Sequence, residues 1–282
     1  LGNRLAFPVS SQSYSLLLKN KKIIRVDIDR KEFNRKIENS INICCDAHKF
    51  VSDALSLPIE LVHDKWLDTC KILKNNLLFE DINDTVAKIS DVIKNENNRV
   101  FVSDVGNNEF FVSRAFELAG TDGLLFSSRA FGSLGLSIGK AIGVYYALKT
   151  PVTCIIGDQG LQMNIQELQF LSSNSIPIKI FLLNNEASGM IYDIEKRLYE
   201  DKFIHVNSFN GYTTPSFLEV AGAYGIKKIG DINEFCKSDY GMYELKYDFC
   251  EILTPSLPIG NECQNMVPLL ENERYNYLNS LY

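Results

Sequence analysis

The sequence has little of what marks a nucleic-acid-binding or membrane protein. Its formal net charge is −6, and its longest cluster of lysines is the short stretch at residues 19–22. Binding to nucleic acid needs a basic face that neutralises phosphates, and none is expected here. No apolar run approaches the roughly 20 residues of a membrane-spanning helix. We therefore predict that the partners include no nucleic acid and no membrane.

Cysteine patterns that bind zinc or form a disulfide framework are also missing. The seven cysteines are odd in number and include no CxxC pair, while Cys154 lies in an apolar run. This favours reduced, mostly buried thiols and a cytoplasmic location. The three histidines are scattered among polar neighbours, which is typical of surface residues. No GxGxxG follows a predicted strand, which disfavours an NAD-binding dehydrogenase.

What the sequence does contain is a regular alternation of strand and helix patterns. Apolar runs at 100–103, 152–156 and 178–183 predict buried strands, and periodic segments such as 82–94 predict helices. Strands and helices that alternate at these lengths form βαβ units. We therefore predict an α/β fold with a doubly wound parallel sheet.

The same patterns suggest how the 282 residues are divided. Residues 1–57 read as a partial αβ domain, residues 58–80 as a linker that can carry helical turns, and residues 81–282 as a larger α/β domain with a polar C-terminal tail. The last strand is expected at 249–253. Because the chain begins at Leu1 within predicted structure, we expect a piece of a longer protein.

Two loops after predicted strands combine residues that suit a metal and an anion. Gly157-Asp158-Gln159-Gly160 follows the strand at 152–156, and Asn184-Asn185-Glu186-Ala187-Ser188-Gly189 follows the strand at 178–183. Ligands of such sheets bind beyond the carboxyl ends of the strands. A carboxylate and an amide oxygen are hard ligands that Mg²⁺ accepts beside phosphates. Gly157 is expected to permit a sharp turn, and Gly160 a close approach of backbone N–H groups to an anion.

Each loop by itself has a structural explanation that is the commoner one. An Asp after a strand often caps a helix, and Asn-Asn is a frequent turn. The pair of loops, however, resembles the signature of thiamine-diphosphate-dependent enzymes. The flanking residues 161–168, 176–180 and 184–190 are similar to the acetolactate synthase branch of that family. The resemblance implies that Asp158, Asn185 and the backbone oxygen of Ala187 hold Mg²⁺.

The resemblance extends to two further loops. Residues 104–109 are similar to the loop that reaches the diphosphate, and residues 131–135 to the loop that cradles the aminopyrimidine, where the Gly132 carbonyl accepts from the 4′-amino group and Leu134 wedges the cofactor. The alternative for Leu134 is an ordinary core residue at a helix start. The implied cofactor-binding residues are Asn107, Asn108, Gly132, Ser133, Leu134, Gly157, Asp158, Gln159, Gly160, Asn185, Ala187, Ser188, Gly189 and Met190.

The family likeness also implies what this chain does not carry. The decisive glutamate of these enzymes comes from the N-terminal pyrimidine-binding domain of another subunit, and no residue here matches it, so the catalytic residue is unknown. Glu167 is interpreted as structural. We expect this chain alone to be inactive and the full-length protein to be a homodimer or homotetramer.

Residues 1–57 resemble the second half of the family's central domain. Acidic residues at the places of Asp27 and Asp46 help to hold a flavin in some relatives, but both could equally be strand-end caps. The glycine-rich half of that domain is absent from the sequence. FAD is therefore left open and is not supported.

The substrate implied by the family is a small 2-keto acid. Met190 and Ile194, at i and i+4 of a predicted helix, are expected to line the substrate pocket, although apolar residues at this spacing usually pack a helix onto a sheet. Acetolactate synthases have Trp at the place of Ile194, and Pro at the place of Gly139. We therefore favour an acetolactate-synthase-like carboligating lyase or transferase with a different acceptor. The alternatives are a simple 2-keto-acid decarboxylase and a non-catalytic cofactor-binding subunit of a split enzyme.

Overall fold

The computed structural model describes residues 1–2, 22–34, 37, 39–58, 64–79, 83–128, 132–199 and 202–250. The chain divides into two compact units. The first contains Leu1–Leu77, and the second is Leu78–Leu253. The domain bounds expected from the sequence stay a prediction.

The first unit is built on a parallel pair of strands. β1 (Ile23–Asp27) pairs with β2 (Ser40–Cys44), and the helices α1 (Ala47–Leu55) and α2 (Asp64–Phe79) follow along the chain. α2 occupies the segment expected to be a linker. The Asp46 carboxylate caps α1 by accepting from the Lys49 N–H at 3.1 Å, and the Asp27 carboxylate accepts from the Asp29 N–H at 2.9 Å. Both acidic residues therefore act as local caps.

The second unit contains a five-stranded parallel sheet with the strand order β4-β3-β5-β6-β7. The predicted doubly wound α/β fold is confirmed. Its elements in chain order are α3 (Asp84–Asn95), β3 (Val100–Ser103), α4 (Asn107–Ala119), β4 (Leu124–Phe126), α5 (Leu136–Leu148), β5 (Val152–Gly157), α6 (Asp158–Met163), α7 (Glu167–Ser173), β6 (Ile178–Asn184), α8 (Gly189–Leu198), α9 (Phe217–Ala223), α10 (Ile232–Lys237) and β7 (Gly241–Lys246).

Helices cover both faces of this sheet, which explains its continuous apolar strands. Every residue of β6 is buried, and neighbours along β5 alternate between two hydrophobic clusters: Cys154 and Ile156 lie in one, Ile155 in the other. Parallel sheets buried on two faces read as unbroken apolar runs in this way. No helix in the described part of the chain is long and apolar enough to cross a membrane.

The strand order reverses direction at β3. From β3 the chain first adds β4 on one side and then crosses to add β5 on the other. The chain therefore leaves β3 toward α4 on one face of the sheet and leaves β5 toward α7 on the other face. Ligands of open α/β sheets bind at such a switch point.

Two strands were not predicted correctly from the sequence. The expected strand at 249–253 is wrong at its first two residues, because Phe249 and Cys250 form a turn. Residues 251–253 lie outside the described residues. The last strand in the described part is β7, at an edge of the sheet. Because β7 is an edge strand, it can contain the charged residues Glu244 and Lys246, and these interrupt the apolar run that marks a buried strand. β4 was missed because it has only three residues.

A buried ion pair joins elements at the amino end of the sheet. The Lys179 ammonium lies 2.8 Å from the Glu96 carboxylate, with side chains 2% and 0% exposed. Lys179 also donates to the carbonyl of Phe235 at 2.8 Å, and the Thr153 hydroxyl donates to Glu96 at 3.3 Å. Burial raises the pKa of Glu96 to about 7, against the effect of Lys179. The pair thus ties the end of α3 to β5, β6 and α10.

Lys179→Met should destabilise the fold by about 3–5 kcal/mol at neutral pH, because it leaves a buried carboxylate without its cation. The folded-state pKa of Glu96 lies above its unfolded value. The contribution of Glu96 to the free energy of unfolding is therefore fully present below the unfolded-state pKa and is lost as pH rises through the folded-state pKa. The loss in the variant should therefore be larger at pH 8 than at pH 5. Urea unfolding at both pH values measures it.

Lys227→Met is the matched control, because Lys227 pairs with Glu234 at 2.7 Å with both side chains about half exposed. An exposed pair contributes about 1 kcal/mol or less. Equal losses in the two variants would contradict the structural role of the buried pair.

Candidate functional site

The four loops singled out in the sequence converge at the carboxyl edge of the sheet. β5 and β6 are direct neighbours, with Gly157 opposite Leu183, so the loops that begin at Asp158 and Asn185 leave the sheet side by side. A Cβ built on Gly189 would lie 2.9 Å from the Asn185 amide nitrogen and 3.0 Å from that of Asn107. The loop after β3 therefore meets the loop after β6 at this glycine.

Asp158 begins α6 and is buried, with 3% of its surface exposed. Its Oδ2 accepts from the Tyr212 hydroxyl at 3.2 Å. Burial raises the pKa of Asp158 to about 6, which the Gln159 N–H and the Tyr212 hydroxyl partly offset. These are neutral donors, and a divalent cation would supply the positive charge that favours the ionised form.

The two asparagines of the Asn-Asn pair have different contacts. Asn184 donates to the Glu244 carboxylate on β7 at 2.6 Å and accepts from the Glu186 N–H at 3.0 Å, so it anchors the loop to the sheet. Asn185 is buried, and its Oδ1 accepts from the Ala187 N–H at 3.2 Å. Ala187 is held in turn by an antiparallel bridge to Asn207. The loop that carries the predicted metal ligands is therefore fixed on both sides.

Gly157 does not have the role expected of it, and Gly160 has a packing role that the sequence did not predict. Gly157 is extended, with φ −78° and ψ 162°, and a Cβ there would meet only the Leu183 oxygen at 3.9 Å. The prediction that Gly157 permits a sharp turn is therefore wrong. Gly160 faces Asp104, whose Oδ2 would lie 2.0 Å from a Cβ at that position. Close packing at position 160 requires glycine.

Asp104 connects three of the loops. It is 1% exposed, and its Oδ2 accepts from the Gly135 N–H at 2.9 Å. Gly135 has φ 81°, and a Cβ on it would come within 2.8 Å of the Gly160 oxygen. Burial raises the pKa of Asp104, while the Gly135 N–H lowers it. The loops after β3, β4 and β5 are thus packed against one another around this carboxylate.

The predicted diphosphate-end residues differ in their surroundings. Asn107 is half-buried and lies against Gly189. The Asn108 amide nitrogen donates to the Ser103 hydroxyl at 3.0 Å and to the carbonyls of Asp104 and Ile155 at 3.2 and 3.1 Å. Asn108 therefore holds the ends of β3 and β5 together, and its contact with a cofactor stays a prediction.

The predicted aminopyrimidine loop borders an open groove. Gly132, Ser133 and Leu134 are exposed, and the groove itself is lined by Gly135, Leu136, Gly139, Lys140, Asn164 and Glu167. The Lys140 ammonium donates to the Ser127 carbonyl at the end of β4. Burial lowers the pKa of Lys140, and the nearby carboxylates of Asp104 and Glu109 oppose that shift. Lys140 therefore places a cation close to the site.

The remaining predicted residues lie on and before α8. The Ser188 hydroxyl donates to the Gln159 side-chain oxygen at 2.9 Å, which connects the loops after β5 and β6 directly. Met190 is half-buried in the first turn of α8. The backbone of Ile194 follows on the same helix, but its side chain lies outside the described residues.

Reasoning from the sequence missed Lys140 and Tyr212, and it included Asp104 in a predicted loop without giving it a role. Asp104 stands directly after a buried strand, the signal that singled out Asp158. Tyr212 follows Asn210-Gly211, a turn sequence that gives no indication of the distant carboxylate it contacts. No three His, Cys, Asp or Glu side chains in the described residues gather as metal ligands. A metal here would depend on amide and backbone oxygens beside Asp158.

Comparison with known proteins shows which class of domain this part of the chain resembles. Residues 104–241 match the thiamine pyrophosphate enzyme family in its C-terminal TPP binding domain, thiamine pyrophosphate being thiamine diphosphate. Residues 104–241 are therefore similar to the C-terminal domain of the thiamine-diphosphate-dependent enzymes, which confirms the resemblance read from the sequence.

The particular relatives are acetolactate synthase large subunits. The chain is 28% identical over 233 residues to a probable acetolactate synthase large subunit of Methanococcus aeolicus, covering 74% of this chain and 38% of that protein. It is 26% identical over 288 residues to the large subunit of Lactococcus lactis subsp. lactis, covering 95% of this chain and 49% of the relative. The chain thus spans half or less of the length of these relatives.

Solved structures share the fold. A benzoylformate decarboxylase from Polynucleobacter necessarius superimposes with a TM-score of 0.60 at 16% identity, covering 84% of this chain and 46% of that one. The thiamine diphosphate-dependent 4-hydroxybenzoylformate decarboxylase of Rhodococcus jostii RHA1 gives 0.61 at 16% identity, with 83% and 45% covered. At this identity the likeness establishes the fold.

Gly160→Ala should destabilise the second unit by about 1–3 kcal/mol, since the added methyl group must displace the buried Asp104 carboxylate from the Gly135 N–H. Gly139→Ala is the control, because a Cβ on Gly139 meets nothing within 4 Å. At an exposed helix position, replacing Gly by Ala should stabilise the protein by up to about 1 kcal/mol. Thermal unfolding of both variants decides the matter. A Gly160→Ala variant as stable as Gly139→Ala would contradict the packing described.

Proposed function

We propose that this chain binds thiamine diphosphate through Mg²⁺ held by Asp158, Asn185 and the backbone oxygen of Ala187. The observation that carries the proposal is the buried Asp158 carboxylate, which has neutral hydrogen-bond donors around it. The loop that begins at Asp158 leaves the sheet beside the loop that begins at Asn185. An uncompensated buried carboxylate is costly, and a divalent metal offsets that cost.

The residues present fit this cofactor. Carboxylate, amide and carbonyl oxygens are the ligands that Mg²⁺ prefers, completed by phosphate oxygens and water. The backbone around Gln159 and Gly160, with Asn107 and Gly189 opposite, would face the diphosphate. The exposed Gly132, Ser133 and Leu134 beside the groove would meet the aminopyrimidine.

The cofactor, when bound, supplies an acidic thiazolium carbon that can add to the carbonyl of a 2-keto acid. This chain's own residues bind and orient it. Asp158 and Asn185 would hold the diphosphate end through the metal, and Leu134 would set the bend of the cofactor. The glycines at 135 and 160 keep the loops close together. We propose that the activating glutamate comes from the pyrimidine-binding domain of another subunit.

For the whole protein we propose an acetolactate-synthase-like carboligating lyase or transferase acting on 2-keto acids. The acetolactate synthase relatives support this choice, and the alternatives are a simple decarboxylase and a non-catalytic subunit. We further propose that Met190 and Ile194 line the substrate side, with Ile194 selecting an acceptor other than that of the biosynthetic enzymes. Product analysis of the full-length protein separates carboligation from simple decarboxylation.

Asp158→Ala should abolish thiamine diphosphate binding, and wild-type binding should require a divalent metal. Without the metal the diphosphate would be repelled by the carboxylate, and without the carboxylate the metal would lose its one charged protein ligand. Calorimetric titration with and without EDTA measures both effects.

Asp122→Ala is the matched control, since the Asp122 side chain is 92% exposed and lies after α4, away from the predicted metal ligands. It should bind as the wild type does. Unchanged affinity in Asp158→Ala would refute the metal assignment.

A further inference from the structure

The segment that follows α8 closes onto the predicted metal loop. The Ser188 N–H donates to the Val206 carbonyl at 2.8 Å, and Ala187 pairs with Asn207 in an antiparallel bridge. The Asn210 side chain accepts from the N–H groups of Val206 and Asn207 at 2.6 and 2.9 Å, which makes the segment a compact turn. The turn is thus a second support for the loop that carries Asn185 and Ala187.

The same turn delivers a phenol to Asp158. The Tyr212 N–H donates to the Asn207 carbonyl at 2.9 Å, and the Tyr212 side chain is 6% exposed. Gly211 precedes it with φ 105°, and a Cβ there would lie 3.1 Å from the His205 ring nitrogen. Backbone and turn together fix where the hydroxyl lies, 3.2 Å from the Asp158 Oδ2.

We infer that Tyr212 is a positioning residue for the metal ligand Asp158, an inference that rests on the proposed cofactor site. A phenol is a neutral O–H donor at ordinary pH, and an ionised carboxylate can only accept. Its hydrogen bond restrains one oxygen of the Asp158 carboxylate, which would leave the other oxygen to face the metal. Partners of this kind orient metal ligands and tune metal affinity.

Tyr212→Phe keeps the ring and removes only the hydroxyl. The Mg²⁺ concentration that half-saturates thiamine diphosphate binding should rise about tenfold, while the dissociation constant of the cofactor at saturating Mg²⁺ stays near the wild-type value. A general loss of packing would weaken cofactor binding at every Mg²⁺ concentration. Calorimetric titrations at a series of Mg²⁺ concentrations, on the whole chain, distinguish the two patterns.

Tyr224→Phe is the matched control, because Tyr224 packs against the core cluster that contains Phe217. It should leave the Mg²⁺ concentration that half-saturates cofactor binding (the Mg²⁺ midpoint) unchanged.

Gly211→Ala is a second variant that keeps the phenol but strains the turn, and it should shift the Mg²⁺ midpoint in the same direction as Tyr212→Phe. It decides the question if Tyr212→Phe fails to fold. An unchanged midpoint in a folded Tyr212→Phe variant would overturn the inference, whereas a wild type that binds no cofactor would overturn the proposed function itself.

Discussion

The packing of the Asp104 carboxylate against two glycine backbones is the contact on which the rest of the site depends. Asp104 occupies the space that a side chain at position 160 would need and accepts from the Gly135 N–H. Three loops that begin at different strands are thereby held at van der Waals distance at the switch point of the sheet. Interiors packed this closely do not tolerate an added methyl group without rearrangement. The carboxyl ends of β3 and β5 are held together by this contact.

Two buried carboxylates at opposite ends of the sheet show two ways of satisfying charge. Glu96, near the amino end, has a permanent cation in Lys179 at 2.8 Å. Asp158, at the carboxyl end, is surrounded by neutral donors, and burial raises its pKa to about 6. The first arrangement stabilises the fold, whereas the second leaves a charge that an exchangeable cation can neutralise. Within one sheet, Glu96 therefore has a structural role and Asp158 has the role proposed in cofactor binding.

The fold was predictable because β3, β5 and β6 are buried on two faces and read as unbroken apolar runs. β4 and β7 were not, because one is very short and the other is an edge strand whose charged residues interrupt the pattern. The candidate site was predicted from Asp158 and Asn185 because each directly follows a strand and because the pair of loops resembles the thiamine diphosphate signature. Tyr212 could not be found, since its contact with Asp158 spans 54 positions of the chain and is created by a turn that no local pattern specifies. The interpretation of Gly157 failed because its backbone is extended.

A crystal structure of the chain with thiamine diphosphate and Mg²⁺ tests the central claim most directly. The account predicts an octahedral metal about 2.1 Å from an Asp158 carboxylate oxygen, the Asn185 amide oxygen and the Ala187 carbonyl, with phosphate oxygens completing its coordination. Tyr212 should remain within hydrogen-bonding distance of the other Asp158 oxygen. Diphosphate density elsewhere on the chain, or a metal that does not contact Asp158, would contradict it.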